Sequence, residues 1–150
     1  MITRSLKKYQ FFLVVLAMLF SCQPQLSDDQ IPLVPFEPIV LNIALPSYST
    51  LQSTGGYKEL SSGGTRGIIL YRLNTATILA FERNCSFQPQ DACATVNVHP
   101  SGLFMNDACC GSTFHFDNGN PSGGAAWRPL VQYNTNLIGN TLTITDQTIN

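Results

Sequence analysis

Four cysteines on two short loops are the feature that most constrains how this chain can fold. The first cysteine loop, residues 85–93, begins and ends with a cysteine. The second cysteine loop, residues 107–112, carries the adjacent pair Cys109 and Cys110 followed by a Gly-Ser turn. Four thiols on two loops of a small chain indicate disulfides, a metal, or both. The rest of the chain is therefore expected to bring these two loops together.

The start of the chain is typical of an export signal. Three basic residues among the first eight positions precede an apolar stretch, residues 11–20, which is too short to span a bilayer comfortably. The sequence Leu19-Phe20-Ser21-Cys22 resembles the lipobox of bacterial lipoproteins, in which the cysteine becomes the diacylated N-terminus. We expect a signal peptide over residues 1–21 and lipidation of Cys22. The alternatives are an ordinary secretory signal or an uncleaved anchor.

Export would change the oxidation state expected for paired cysteines. Outside the cytoplasm, paired cysteines form disulfides more readily than they remain free thiols. With Cys22 set aside for lipid, four cysteines remain, and these permit three pairings. We expect a protein of the bacterial cell envelope, periplasmic or surface-exposed. Its partners would be the membrane, through the lipid at Cys22, and an unidentified envelope protein.

The charge of the exported chain excludes one class of partner. From Cys22 onward, five Lys and Arg residues stand against nine Asp and Glu residues, a net charge of −4. The sequence has no basic patch, so nucleic acid is not an expected partner. Acyl chains, rather than electrostatic attraction, would hold the protein to a membrane.

A proline-rich segment separates the signal from the folded part of the chain. Residues 22–38 contain four prolines and are predicted to form an extended tether. Within this segment, the pair Asp28-Asp29 resembles the surface-export signals of some Bacteroidetes-type lipoproteins. Residues 39–150 are then enough chain for one domain.

The pattern of this domain is all-β. No window past residue 38 shows a convincing helical period of apolar residues, whereas short β-rich runs recur between turn signals. About nine short strands are predicted: residues 39–45, 57–60, 67–73, 77–83, 95–98, 103–105, 113–116, 130–133 and 141–144. The pair 67–73 and 77–83 is apolar enough to form the buried centre of a sheet. We predict a small antiparallel β-sandwich or barrel with the two cysteine loops at one end.

The order of these features resembles the Rieske iron–sulfur domain. A strand ending in Ala-Phe-Glu-Arg leads into a cysteine loop, a hairpin, and a second cysteine loop that runs into Gly-Ser-Thr-Phe. An Asp-Asn-Gly turn, a Gly/Ala-rich loop over residues 122–126 and an Arg-Pro-Leu sequence follow. The resemblance covers residues 39–146. It implies a Rieske-like fold and, in the family, electron transfer through a 2Fe–2S cluster held by two cysteines and two histidines.

Laid on the Rieske pattern, this chain keeps one of the four ligand positions. Cys85 matches the first ligand cysteine, whereas Phe87 stands where the first histidine would be. Asp107 stands at the second ligand cysteine, and Cys110 at the second histidine. The Gly/Ala-rich loop also departs from the family, with Gly124 at a position that is usually proline. An ordinary cluster with two cysteine and two histidine ligands is therefore not expected.

The resemblance also assigns the remaining cysteines and one serine. Cys109 matches the non-ligand cysteine that often forms a disulfide between the two loops, with Cys93 as its partner. Ser112 matches the serine whose hydroxyl bonds to a cluster sulfur, so it is a cofactor-binding residue if a cluster is present.

Two hypotheses follow from this assignment. In the first, Cys93–Cys109 and Cys85–Cys110 are both disulfides, no cofactor is bound, and the domain has a binding or structural role. In the second, Cys85, Cys93, Cys109 and Cys110 are metal ligands for an all-cysteine 2Fe–2S cluster or a Zn site, with Asp107 as a possible oxygen ligand. The oxidising compartment and the lack of a CxxC motif favour the first.

The two histidines do not restore a ligand set. His99 lies in a Pro-Ser-Gly turn and is predicted to be solvated. His115 alternates with two phenylalanines on a half-buried strand and is predicted to face solvent. No catalytic arrangement stands out in the sequence, so at most a redox role, rather than an enzyme, is expected.

Overall fold

The computed structural model describes residues 29–150. The predicted signal peptide, the lipidation site Cys22 and the first part of the predicted tether lie outside the described residues. Within residues 29–150, no helix is long and apolar enough to cross a membrane.

Two antiparallel sheets make up the described part of the chain. The strands of the larger sheet are β1 (Ile39–Asn42), β2 (Tyr57–Leu60), β3 (Ile68–Arg72), β4 (Ile78–Glu82), β9 (Gln132–Ile138) and β10 (Thr141–Thr148), in the order β1-β10-β9-β4-β3-β2. The smaller sheet has the order β5-β6-β7-β8, with β5 (Val96–Val98), β6 (Met105–Asp107), β7 (Thr113–Phe114) and β8 (Pro121–Gly123). The predicted all-β, antiparallel fold class is confirmed.

The hairpin of β3 and β4 is the buried centre of the larger sheet, as its apolar composition predicts. Because side chains alternate between the two faces of a strand, this hairpin contributes to two separate cores. Ile69 and Phe81 pack toward the smaller sheet, in a cluster that also contains Cys85 and Phe114. On the opposite face, Ile68, Leu70, Ile78 and Ala80 pack with residues of β9 and β10.

Several elements differ from their predicted form. A kinked 3₁₀ helix, Pro46–Gln52, follows β1 and buries Leu51 completely beneath the larger sheet. Strand β9 runs without a break to Ile138, because Gly139, at φ +58°, begins a tight turn directly before β10. Strand β8 forms at the start of the Gly/Ala-rich segment, which was predicted to be a loop.

The two cysteine loops lie at one end of the fold, as predicted. The first follows β4, and an isolated bridge between Asn84 and Thr95 closes its base. The second connects β6 to β7. A disulfide between Cys93 and Cys109 joins the two loops directly.

The described part of the predicted tether lies against the domain. The carbonyl of Pro32 accepts a hydrogen bond from the Thr65 hydroxyl at 2.8 Å. The carbonyl of Asp29 accepts one from the Arg128 guanidinium at 2.7 Å. The ring of Phe36 packs edge-on against Tyr133, with centroids 5.0 Å apart. Residues 29–38 form neither helix nor strand until β1 begins.

Candidate functional site

A buried glutamate fixes the backbone on which the first cysteine loop is built. Glu82, the last residue of β4, is fully buried. Its carboxylate accepts backbone N–H bonds from Thr65 at 2.8 Å, Arg66 at 3.0 Å and Asn84 at 2.9 Å, and a hydroxyl bond from Tyr133 at 2.7 Å. Four donors replace the water that a buried carboxylate loses. The loop that precedes β3 is thereby held beside the start of the first cysteine loop.

Arg66 extends this support across the first cysteine loop. Its guanidinium donates to the Asn84 side chain at 2.5 Å, to the carbonyl of Asp91 at 2.5 Å and to the carbonyl of Ala92 at 2.8 Å. A planar guanidinium can serve several carbonyls at once because its donors are fixed in a fork. Neither Glu82 nor Arg66 was identified from the sequence as part of the site, because no spacing motif links them to the cysteines.

The second cysteine loop is a compact turn closed by Asp107. The N–H of Asp107 donates to the carbonyl of Ser112 at 2.8 Å, and the N–H of Gly111 donates to the carbonyl of Asp107 at 2.9 Å. The Asp107 carboxylate accepts the N–H of Cys109 at 2.8 Å. Gly111 has φ +72°, a conformation that side-chain-bearing residues rarely adopt. Aspartate favours such turns because its short side chain reaches the backbone two residues on.

The segment after β8 closes the site from a third side. Ser112 is fully buried, and its hydroxyl oxygen accepts the N–H of Ala126 at 2.9 Å. Ser86 and Arg128 exchange hydrogen bonds: the Ser86 hydroxyl donates to the Arg128 carbonyl at 2.6 Å, and the guanidinium donates to the Ser86 carbonyl at 2.9 Å. Gly124 has φ +83° and lies so close that a Cβ atom there would overlap the backbone of Gly111 and Ser112. The departure from proline at this position therefore has a steric reason.

The four cysteines of the two loops behave as two different pairs. Cys93 and Cys109 form the disulfide that the Rieske resemblance implies, with their Cα atoms 5.6 Å apart. Cys85 and Cys110 are free thiols whose sulfur atoms are 3.8 Å apart, so the expected second disulfide is absent from the structure. A disulfide needs sulfur atoms about 2.05 Å apart. Instead, the Cys110 thiol lies within hydrogen-bonding distance of Asp107 Oδ2, at 3.3 Å, and of Ser112 Oγ, at 3.0 Å.

Cys85, Asp107 and Cys110 form one compact group of possible metal ligands. Their ligand atoms all lie within 4.8 Å of one another. Cys85 and Asp107 are buried, and Cys110 is half-buried at the outer side of the group. Burial raises the pKa of the Cys85 thiol well above its ordinary value. The backbone N–H of Phe87 partly offsets this rise, and Asp107 and Cys110 add to it, so without a cation Cys85 is a neutral thiol.

The predicted set of four cysteine ligands is wrong for this structure, because Cys93 and Cys109 are bonded to each other and offer no thiolate. The side chain of Phe87 packs against the core cluster that contains Cys85, so the position at which the Rieske resemblance implies a histidine holds an apolar ring.

The histidines do not join the group either. His115 is exposed, as predicted. His99 is half-buried rather than fully solvated, stacks on Phe104 with ring centroids 4.3 Å apart, and has Nδ1 2.9 Å from the Ser101 hydroxyl. A 2Fe–2S cluster needs four protein ligands, two on each iron. The grouped donors among the described residues are two sulfurs and one carboxylate, which do not fit that cluster.

Comparison with known proteins leaves the family unassigned. No protein-family model and no curated protein matches the chain. Among solved structures, a similar chain comes from a complex of reduced oxygenase and oxidised ferredoxin in carbazole 1,9a-dioxygenase. The two chains are 14% identical with a TM-score of 0.47, over 65% of this chain and 87% of that one. A likeness of this size does not assign the chain to a family.

Proposed function

We propose that this chain is a lipid-anchored domain of the bacterial cell envelope, with a Rieske-like scaffold that has lost the cluster and serves a binding or structural role. One observation carries the proposal: Cys93–Cys109 keeps the disulfide that the resemblance implies between the two loops, whereas the ligand positions beside it are changed. The same loops carry Phe87 and Asp107 in place of two family ligands. A scaffold that keeps the disulfide between its loops but lacks the ligands of an iron–sulfur cluster suits a binding or structural role better than electron transfer.

The disulfide is suited to hold a binding surface in place. Cys93 and Cys109 are 16 residues apart in sequence, and a cross-link that closes a loop of this length contributes about 3 kcal/mol to the free energy of unfolding. Together with the hydrogen bonds of Arg66, the disulfide leaves the two cysteine loops little freedom to rearrange. Because the two cysteine loops are already ordered, a partner that binds them would cost little conformational entropy.

The proposed anchor would keep the domain close to the membrane. Asp29 is already bound to the domain through Arg128. Only seven peptide units separate it from Cys22, and seven extended residues span at most about 25 Å. A partner would therefore be an envelope protein at or near the bilayer surface.

The proposal is tested on the full-length chain, expressed with its own signal and extracted in detergent. We expect no iron–sulfur absorption, no acid-labile sulfide, and an intact Cys93–Cys109 disulfide in peptide mass maps. Iron at about two atoms per chain, with acid-labile sulfide, would instead establish an electron-transfer protein and reject the proposal.

The anchor is tested separately by substitution. We expect Cys22→Ser to move the protein from the membrane fraction to the soluble fraction after processing, or to leave an unprocessed precursor. The matched control is Ser21→Ala, which keeps the cysteine and a small residue before it and should remain membrane-bound and acylated. If acyl chains are absent from the wild-type N-terminus by mass spectrometry, the anchor proposal is wrong.

A further inference from the structure

We propose that Cys85, Asp107 and Cys110 form a mononuclear, tetrahedral Zn²⁺ site with one coordination position left open. The inference goes beyond the role proposed above and does not depend on it, because it rests on the geometry of three side chains. It also explains why the structure keeps one cysteine pair as thiols while the other pair is a disulfide.

The distances within the group match those that one tetrahedral ion requires. Two thiolates bound about 2.3 Å from one tetrahedral Zn²⁺ lie about 3.8 Å apart. The sulfur atoms of Cys85 and Cys110 are 3.8 Å apart. A carboxylate oxygen about 2.1 Å from the same ion lies about 3.6 Å from each sulfur. Asp107 Oδ2 is 3.3 Å from the Cys110 sulfur, so binding would need only small movements.

The donor set suits zinc better than the competing ions. Thiolates are soft ligands that Ca²⁺ and Mg²⁺ do not favour, and a carboxylate is a common third ligand for Zn²⁺. The sulfur of Cys85 and the carboxylate of Asp107 are buried, and the sulfur of Cys110 is half-buried, so little water is available to stabilise their negative charge. A dication at the centre of the group would supply the compensating charge that burial otherwise denies them.

The surrounding hydrogen bonds orient the proposed ligands. The Cys109 N–H holds Asp107 Oδ1 at 2.8 Å, which leaves Oδ2 directed toward the Cys110 sulfur. Ser112 Oγ accepts the Ala126 N–H and, at 3.0 Å, a hydrogen bond from the Cys110 thiol. Once a metal deprotonates that thiol, the Ser112 hydroxyl can donate its own hydrogen to the thiolate. Such contacts from a second layer of residues are the usual means by which a protein aims and tunes metal ligands.

Three protein ligands leave a fourth position for water or for a donor atom of another molecule. Closed structural zinc sites have four protein ligands, whereas sites with three keep a position for exchange. Cys110 is half-buried, in contrast to Cys85 and Asp107, so the open position is expected on its side of the group. The ligand class for this position is a small anion or a thiol, either of which binds Zn²⁺ in place of water.

The test uses the full-length chain in detergent, with mass mapping to verify the Cys93–Cys109 disulfide. Zinc alone is titrated against a chromophoric chelator, and cobalt(II) is then used as a spectroscopic substitute. We expect about one Zn²⁺ per chain, and a cobalt spectrum with thiolate charge-transfer bands and intense tetrahedral visible bands. Binding that is substoichiometric, a weak octahedral cobalt spectrum, or a Cys85–Cys110 disulfide in protein isolated anaerobically with zinc present throughout would overturn the proposal.

Variants separate this site from a four-cysteine site. Cys110→Ser and Asp107→Asn should each weaken zinc binding at least about 100-fold, because direct ligands matter more than the outer contacts whose loss weakens affinity 10- to 100-fold. Cys93→Ser/Cys109→Ser should keep stoichiometric zinc. Should that double variant fail to fold, X-ray absorption at the zinc edge of the wild-type protein decides the matter. Two sulfur ligands per zinc support the proposal, and four refute it.

Discussion

The hydroxyl oxygen of Ser112 lies 3.0 Å from the sulfur of Cys110, and both residues belong to the tight turn of the second cysteine loop. The same oxygen accepts the N–H of Ala126, which belongs to a different segment. One buried hydroxyl therefore links the thiol to the segment that closes the site. Its contact with Cys110 bears on metal binding, and its contact with Ala126 bears on the stability of the fold.

Replacing Ser112 with Ala is expected to weaken both properties. Zinc affinity should fall about 10- to 100-fold, because the Cys110 thiolate loses a donor from its surroundings. The free energy of unfolding should fall by about 1–3 kcal/mol, since the buried N–H of Ala126 is left without an acceptor. Competition titration measures the first effect and urea unfolding the second. Ser122→Ala, at an exposed serine bonded to Thr113, is the matched control and should change neither.

A substitution at Gly124 tests how closely the segment after β8 approaches the second cysteine loop. Gly124→Ala combines a strained φ of +83° with overlap against the backbone of Gly111 and Ser112. Gly139→Ala carries a comparable strain at φ +58° but meets no atom within 4 Å. We expect Gly139→Ala to lose about 1–2 kcal/mol of unfolding free energy and Gly124→Ala to lose clearly more. Equal losses of unfolding free energy in the two variants would show that the segment after β8 moves freely away from the second cysteine loop.

Arg66 tests how the first cysteine loop is held. Arg66→Lys keeps the charge but cannot reach the Asn84 side chain and the carbonyls of Asp91 and Ala92 together. Amide hydrogen exchange should accelerate in residues 85–93 while β3 and β4 remain protected. The comparison variant is Arg83→Lys, whose side chain bonds to Val96 and Asn97 on strand β5 rather than to the loop. Unchanged exchange in residues 85–93 of Arg66→Lys would assign the rigidity of the loop to the disulfide alone.

Local patterns in the sequence predicted most of the fold. The hairpin of β3 and β4 is a pair of apolar runs around a polar turn, and its burial follows from that composition. The 3₁₀ helix Pro46–Gln52 was not predicted, because a segment so short carries no period and Leu51 is buried by tertiary packing alone.

The site was predictable only in outline. Adjacent cysteines and a Gly-Ser turn indicated that the loops meet, and the Cys93–Cys109 disulfide followed from the resemblance to the Rieske pattern. Whether Cys85 and Cys110 form a disulfide or stay thiols depends on a difference of less than 2 Å between their sulfur positions, which no spacing in the sequence encodes. The supporting contacts of Glu82 and Arg66 are equally invisible, because all of them except the bond between Glu82 and Asn84 connect positions 16 to 51 residues apart.

The Cys93–Cys109 disulfide should stabilise the domain without being required for its fold. Cys93→Ser/Cys109→Ser should lower the urea midpoint, with a loss of about 3 kcal/mol in unfolding free energy for a loop of this length. The β-sheet circular dichroism should be kept, because neither Cys93 nor Cys109 belongs to either core. A variant that shows no β-sheet signal even at low temperature would mean that the loops, rather than the sheets, determine the fold.

The buried pair of Tyr133 and Glu82 should make the domain sensitive to alkali. Burial, followed by the hydrogen bond and the negative charge of Glu82, raises the pKa of Tyr133 well above its usual value. The phenol therefore stays neutral in the folded state at a pH where it ionises in the unfolded state. Its contribution to stability is fully present below the unfolded pKa of about 10 and is lost as pH rises above that value.

Tyr133→Phe isolates this effect. At pH 7 the variant should be less stable by about 1–3 kcal/mol, because Glu82 keeps its three backbone donors but loses the hydroxyl. Between pH 9 and pH 11, unfolding free energy should fall less steeply for the variant than for the wild type, because one titrating phenol is gone. Tyr48→Phe, at a partly buried tyrosine within the 3₁₀ helix, is the control and should follow the wild-type slope. Parallel slopes for wild type and Tyr133→Phe in urea titrations across this range would show that another group governs alkaline unfolding.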